Sequence, residues 1–199
     1  GECGGKFGVA GAYLVGHFEV RAGGLTAFGG PAEERASGEG IGWAEHDHRL
    51  FSGVERLFHP SYAVHLVDDW LPALDGVVAK LEGGARVADI GTGHGHSSLL
   101  MAEAYPNSSF HGIDVHPGSI EAARRKAAAA GLDKRVSFEV AKSTTFVERG
   151  FDLICFFDCL HDMGDPVGAL RHAAQALAPG GTVMLVEPAA GDRLEENIN

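Results

Sequence analysis

The chain predicts a three-layer α/β/α fold around a mostly parallel sheet of about five strands, on three observations. Short apolar runs alternate with helical stretches from Gly83 onward, a glycine-rich turn follows the first run, and an acid closes the second. Alternation of this kind is how a parallel sheet reads in sequence, because each strand needs a crossover helix to return the chain to the same end of the sheet.

From residue 1 to about residue 42 the chain is rich in glycine and weakly periodic; Val9 to Val20 is its one short apolar segment, and Gly23 to Gly42, with Pro31 and Ser37, reads as loop or linker. Leu50 to Phe58 and Tyr62 to Leu81 carry apolar residues three and four apart and read as two helices parted at His59-Pro60, where the proline removes a hydrogen-bond donor. After Gly83-Gly84, Arg86 to Ile90 is a strand, Ser97 to Tyr105 a helix, Ser109 to Val115 a second strand, and Pro117 to Ala130 an alanine-rich helix stopped by Gly131. Val136 to Ala141 is the third strand. Phe151 to Phe157 is the fourth, an almost continuous apolar run suited to burial on both faces. Val167 to Leu177 is a helix ended by Pro179-Gly180-Gly181, and Thr182 to Val186 is the fifth strand.

At 199 residues, 45% of them hydrophobic, the chain has material for one buried core. The segments divide as 1–42, an irregular N-terminal remnant or linker; 43–82, a helical lead-in; and 83–199, the α/β domain. A net charge of −11 argues against a nucleic-acid partner, since phosphates are bound by Lys and Arg. The sequence has neither a stretch of about 18 uncharged apolar residues nor a signal-peptide layout, so no membrane partner is expected. Cys3, Cys155 and Cys159 form no CxxC pair, and a reduced cytoplasmic setting is expected. His46, His48, His94 and His96 form two HxH pairs without a carboxylate or cysteine cluster around them, and no metal is expected. The chain opens on Gly1 rather than Met and ends at Asn199 soon after the fifth strand, which reads as a fragment with Thr182 to Val186 left as an exposed sheet edge. Such an edge invites pairing with another chain, a homodimer included, and would leave the fragment marginally stable.

The chemistry is carried by Asp89-Ile90-Gly91-Thr92-Gly93-His94-Gly95-His96 at the exit of the first strand. Glycines there let a ligand come against the backbone, while the next helix offers free N–H groups. Asp114, at the end of the second strand, is placed to accept hydrogen bonds from both ribose hydroxyls of an adenosine ligand. The spacing is GxGxG behind an acid rather than GxGxxG, which suits a ligand ending in an amino acid better than a pyrophosphate.

With Phe151-Asp152 opening the fourth strand and Leu177-Ala178-Pro179-Gly180-Gly181 before the fifth, these motifs stand in the order in which the chain resembles the class I S-adenosylmethionine-dependent methyltransferases, strongly from Gly83 to Glu187. The segment before it is similar to the lead-in helices of small-molecule O-methyltransferases, including bacterial ones with an N-terminal winged-helix region. The resemblance implies a Rossmann-like class I methyltransferase fold whose C-terminal strands are missing here. It implies S-adenosyl-L-methionine held by Asp89, Gly91, Thr92, Gly93, Gly95, His96, Asp114, Val115, Ala141, Lys142, Phe157 and Asp158. Leu160-His161-Asp162 resembles the segment that carries the catalytic histidine of plant-type O-methyltransferases, which makes His161 a base with Asp162 and Glu187 beside it. Tyr62 and His65, on the lead-in helices, are candidates for the acceptor pocket. Where that family commonly has an acid for the adenine amino group, this chain has Ala141-Lys142-Ser143. The function so implied is methyl transfer to a small-molecule hydroxyl. Two other readings remain: a non-catalytic cofactor-binding protein of regulation or assembly, and a nicotinamide-dependent oxidoreductase.

Overall fold

The computed structural model describes residues 7–10 and 13–16 as backbone and residues 42–188; the loop expected over Gly23 to Gly42 lies, but for Gly42, outside the described residues. In chain order the elements are β1 (Phe7–Ala10), β2 (Tyr13–Gly16), α1 (His48–His65), α2 (Val77–Gly83), β3 (Arg86–Ile90), α3 (His96–Ala104), β4 (Ser109–Asp114), α4 (Pro117–Ala129), β5 (Val136–Val140), β6 (Phe151–Phe157), α5 (Pro166–Ala176) and β7 (Leu177–Pro188). The sheet order is β1-β2-β7-β6-β3-β4-β5. The five strands expected from the sequence, β3 to β7, are mutually parallel.

Strand β6 shows why its run is nearly all apolar. Leu153, Cys155 and Phe157 join the core on one face of the sheet, with residues of α2, α3 and α4. Ile154 and Phe156 join the other core, with Ala169, Ala173 and Ala176 of α5. Successive side chains of a strand point to opposite faces, so a strand covered on both sides has no position to give to a polar residue.

Three features differ from expectation. The segment read as two helices starts with one, α1, which runs through Pro60 without breaking. A proline in a helix interior costs about 3 kcal/mol; beside it the His59 ring stacks on His96 and Tyr62 packs against the core. A π-helical turn, Leu66–Trp70, follows and buries Leu66 and Trp70 completely. The fifth strand begins early, at Leu177. Phe151 pairs with Leu177 but Leu153 pairs with Thr182, so Pro179-Gly180-Gly181 bulges out of the ladder rather than preceding it.

The third difference corrects the expected bare edge. Tyr13, Leu14 and Val15 of β2 pair antiparallel with Pro188, Glu187 and Val186 of β7, and β1 pairs antiparallel outside β2. A hairpin from the weakly periodic N-terminal segment thus covers the end of the strand that carries Glu187, the edge that the resemblance leaves to C-terminal strands. Pairing satisfies the backbone N–H and C=O groups that an open edge leaves bare.

The chain runs outward from β3 to β4 and β5, then crosses back to place β6 on the other side of β3. Beyond the carboxyl ends of β3, β4 and β6 the two directions diverge and leave a crevice, the place where open α/β sheets bind ligands.

Candidate active site

The glycine turn at the end of β3 is built around Asp89. This residue is 1% exposed, and its Oδ2 accepts hydrogen bonds from Thr92 Oγ1 at 2.9 Å and from Ser97 and Ser98 Oγ at 2.6 Å each. Burial pushes the Asp89 carboxyl upward in pKa, against those three hydroxyls. Asp89, expected at the cofactor site, does not line the cavity described below, and its three hydrogen bonds tie the turn to the start of α3. Gly91 and Thr92 N–H both donate to the Ile113 carbonyl, at 2.8 and 3.1 Å, which ties the turn to β4.

Gly91, Gly93 and Gly95 all have positive φ. At Gly95 (φ +77°) a Cβ would stand 2.6 Å from Phe138 Cζ and 2.9 Å from Ala123 Cβ. The backbone there is pressed onto β5 and α4, and only a residue without a side chain fits. Gly95→Ala is expected to destabilise the fold by about 2–4 kcal/mol, from left-handed strain and overpacking together. Urea unfolding measures this, and an unchanged midpoint would show that the turn relaxes freely.

Asp114, 7% exposed, ends β4. Its Oδ2 accepts from Gly93 N at 2.9 Å and its Oδ1 from His116 N at 2.8 Å. Each oxygen keeps a further lone pair for a ligand hydroxyl.

Around these groups lies a cavity of about 630 Å³, within the span of small-molecule and cofactor sites. The expected residues Gly91, Thr92, Gly93, His96, Asp114, Val115, Ala141, Lys142, Phe157, Asp158 and Asp162 line it, as does Tyr62. Gly95, His161 and Glu187 do not; Gly95 works behind the turn, and the other two stand next to the lining residues Asp158, Cys159 and Asp162. His65 does not line the cavity, and its Nδ1 lies 2.6 Å from Asp69 Oδ2. Ser143 and Thr144 continue the wall beyond Lys142.

One wall was not foreseen. Phe51, Val54, Glu55, Phe58 and Tyr62 of α1, with Trp43 just before it, face the crevice. The three- and four-residue spacing of these positions is visible in the sequence, but nothing local says what the face meets. Glu55 Oε2 bonds His94 Nδ1 at 2.8 Å and Oε1 bonds Lys126 Nζ. The His59 ring stacks on His96 at 3.8 Å and the Phe51 ring on His116 at 4.1 Å. Burial, with the His59 and Lys126 charges, lowers the His96 pKa to about 4, so the ring is neutral at pH 7.

At the other end, past β6, Asp158 has φ +52°, the one positive φ outside glycine among the described residues. Its Oδ1 is buried without a partner. Burial raises its pKa to about 6, with Glu187 and Asp162 adding to the shift and His161 opposing it. His161 Nδ1 lies 2.5 Å from Glu187 Oε2, while Glu187 Oε1 accepts from Leu160 N at 2.8 Å and Cys159 N at 3.2 Å. Asp162 Oδ2 is 3.6 Å from His161 Nε2. Burial opposes a charged His161 ring, but the hydrogen bond and charge of Glu187, with Asp162 and Asp158, outweigh it and raise its pKa. Asp158, His161 and Glu187 bring ligand-type atoms within 4.8 Å of one another.

A family model described as a methyltransferase domain matches residues 81–199. The 27-O-demethylrifamycin SV methyltransferase of Amycolatopsis mediterranei is 35% identical over 145 residues, which are 72% of this chain and 51% of that protein. The release factor glutamine methyltransferase of Agrobacterium fabrum is 33% identical over 186 residues, 83% of this chain and 62% of that protein. The chain therefore spans half to under two thirds of the length of these relatives. Among solved structures, mitomycin 7-O-methyltransferase MmcR superposes with a TM-score of 0.61 at 21% identity over 72% of this chain and 40% of its own, a likeness of fold.

Proposed function

Because this chain belongs to the class I S-adenosylmethionine-dependent methyltransferases, we propose that it methylates a hydroxyl oxygen of a small-molecule acceptor, with His161 as the base. The cofactor is S-adenosyl-L-methionine, and the residues fit it. The carboxylate of Asp114 suits the ribose hydroxyls, the cradle at Gly91 and Gly93 lets a ligand approach the backbone, and residues 141–144 offer a wall to the adenine. Residues 43–82 then form the segment that covers the cofactor and 83–199 the domain that holds it. When bound, the cofactor supplies an electrophilic sulfonium methyl, so the chain's share is alignment, exclusion of water and removal of one proton.

The carrying observation is the His161–Glu187 pair. An ionised carboxylate only accepts, so Nδ1 donates to Glu187 and the lone pair sits on Nε2. That nitrogen can take a hydroxyl proton, and Glu187 steadies the imidazolium that results. Glu187 is fixed in turn by two backbone N–H groups. The name of the 27-O-demethylrifamycin relative supports the hydroxyl; that of the glutamine methyltransferase points to a carboxamide side chain as the other acceptor class. Transfer of labelled methyl to matched phenols and carboxamides separates the two. Product is expected with the phenols, and product confined to carboxamides would reject the reading.

A further inference from the structure

Helix α1 meets the cofactor cradle at three positions four residues apart, so one helix face carries all three contacts. Phe51 stacks on His116, whose N–H donates to Asp114. Glu55 joins His94 of the glycine turn to Lys126 of α4. His59 stacks on His96, the first residue of α3. The outer two contacts are ring on ring, and the central one sets a carboxylate between a ring nitrogen and an ammonium, partly buried, with 24% of the Glu55 side chain exposed, 15% of that of His94 and 38% of that of Lys126. Glu55 also lines the cavity, as Phe51 does, so the helix that makes these contacts is a wall of the ligand site.

We propose that Glu55 is a positioning residue for the cofactor, a latch that fastens α1 across the cradle and holds His94, and with it the glycine turn, in the binding shape. Neither His94 nor Lys126 is close to Glu55 in sequence, so the tie links three separate elements: the covering helix, the turn after β3 and the helix after β4. Helix α1 is one wall of the cavity, and lifting it breaks both arms of the Glu55 tie. The latch therefore sets how long the cofactor stays, more than how fast it enters. A charge-assisted hydrogen bond between partly buried groups is strong enough for this and still reversible.

The test follows binding of S-adenosylhomocysteine by stopped-flow tryptophan fluorescence, since Trp43 lines the cavity. Glu55→Gln is expected to raise the dissociation rate constant about tenfold, the scale of a hydrogen bond to a charged group, with association unchanged or faster. Lys126 does not line the cavity, so Lys126→Met reports on the latch alone and is expected to speed dissociation in the same direction. The double variant is expected to fall short of the product of the two single effects, because both remove the same tie. Thermal unfolding of the ligand-free proteins separates release from loss of fold. Dissociation within twofold of the parent in both single variants overturns the latch. Slower association with unchanged dissociation overturns it too, being the mark of a disordered site. If the parent itself does not bind S-adenosylhomocysteine, the cofactor assignment fails and the latch fails with it.

Discussion

Replacing His161 by Gln is expected to lower kcat on a hydroxyl acceptor by roughly 100-fold or more while cofactor affinity stays within about twofold, the scale of a lost general base. Glutamine keeps a hydrogen-bonding group near Glu187 but has no titrating lone pair. A histidine base works only when neutral, so if His161 fills that role the rate is expected to climb with pH through its pKa, which Glu187, Asp162 and Asp158 hold above the ordinary value of about 6.5. Glu187→Gln keeps an oxygen for the Cys159 and Leu160 N–H groups and removes the charge. Its rising limb is therefore expected to move to lower pH, with a smaller kcat. A pH profile of kcat/KM for parent and both variants checks this. An unchanged kcat in His161→Gln would make the residue structural; a limb that stays in place in Glu187→Gln would detach the acid from the base.

The second large effect is at Asp114. Asp114→Ala is expected to weaken S-adenosylhomocysteine binding by about 1.5–3 kcal/mol, or roughly 10- to 150-fold, the worth of hydrogen bonds to a charged acceptor. The substitution also strips the Gly93 and His116 N–H groups of their acceptor, so the glycine turn loosens as the ribose partner is lost. Asp114→Asn keeps one oxygen and is expected to lie between parent and alanine variant. Calorimetric titration gives the affinities and circular dichroism the fold. Equal affinity in a folded alanine variant would remove Asp114 from the ribose site.

The parallel strands were legible because a strand buried on both faces permits little but apolar residues and because Gly and Pro punctuate it. Phe151–Phe157 is found to the residue. The sites on the strand ends were legible for the same reason. Once β3, β4 and β6 are located, Asp114 and Asp158 fall at their carboxyl ends, where a switch in strand order opens a crevice. Asp89 was legible as important but not in its role. Its position says that it precedes the turn; only the folded chain brings Thr92, Ser97 and Ser98 together on its Oδ2.

From β3 to β7, local pattern by itself determined the order of helices and strands, the turn that needs glycine, and the acids at the strand ends, because backbone sterics and burial act on residues near one another in the chain. Tertiary structure alone decided the rest. It decided that α1 continues through Pro60, since the contacts beside it, such as the His59 ring on His96, join residues distant in sequence. It decided that a glycine-rich hairpin covers β7 beside Glu187, since a weakly patterned segment becomes a strand only when an edge is there to pair with it. It also decided that Glu55 meets His94 and Lys126, 39 and 71 residues away, because contacts at that separation depend on how whole elements pack, which no local window contains.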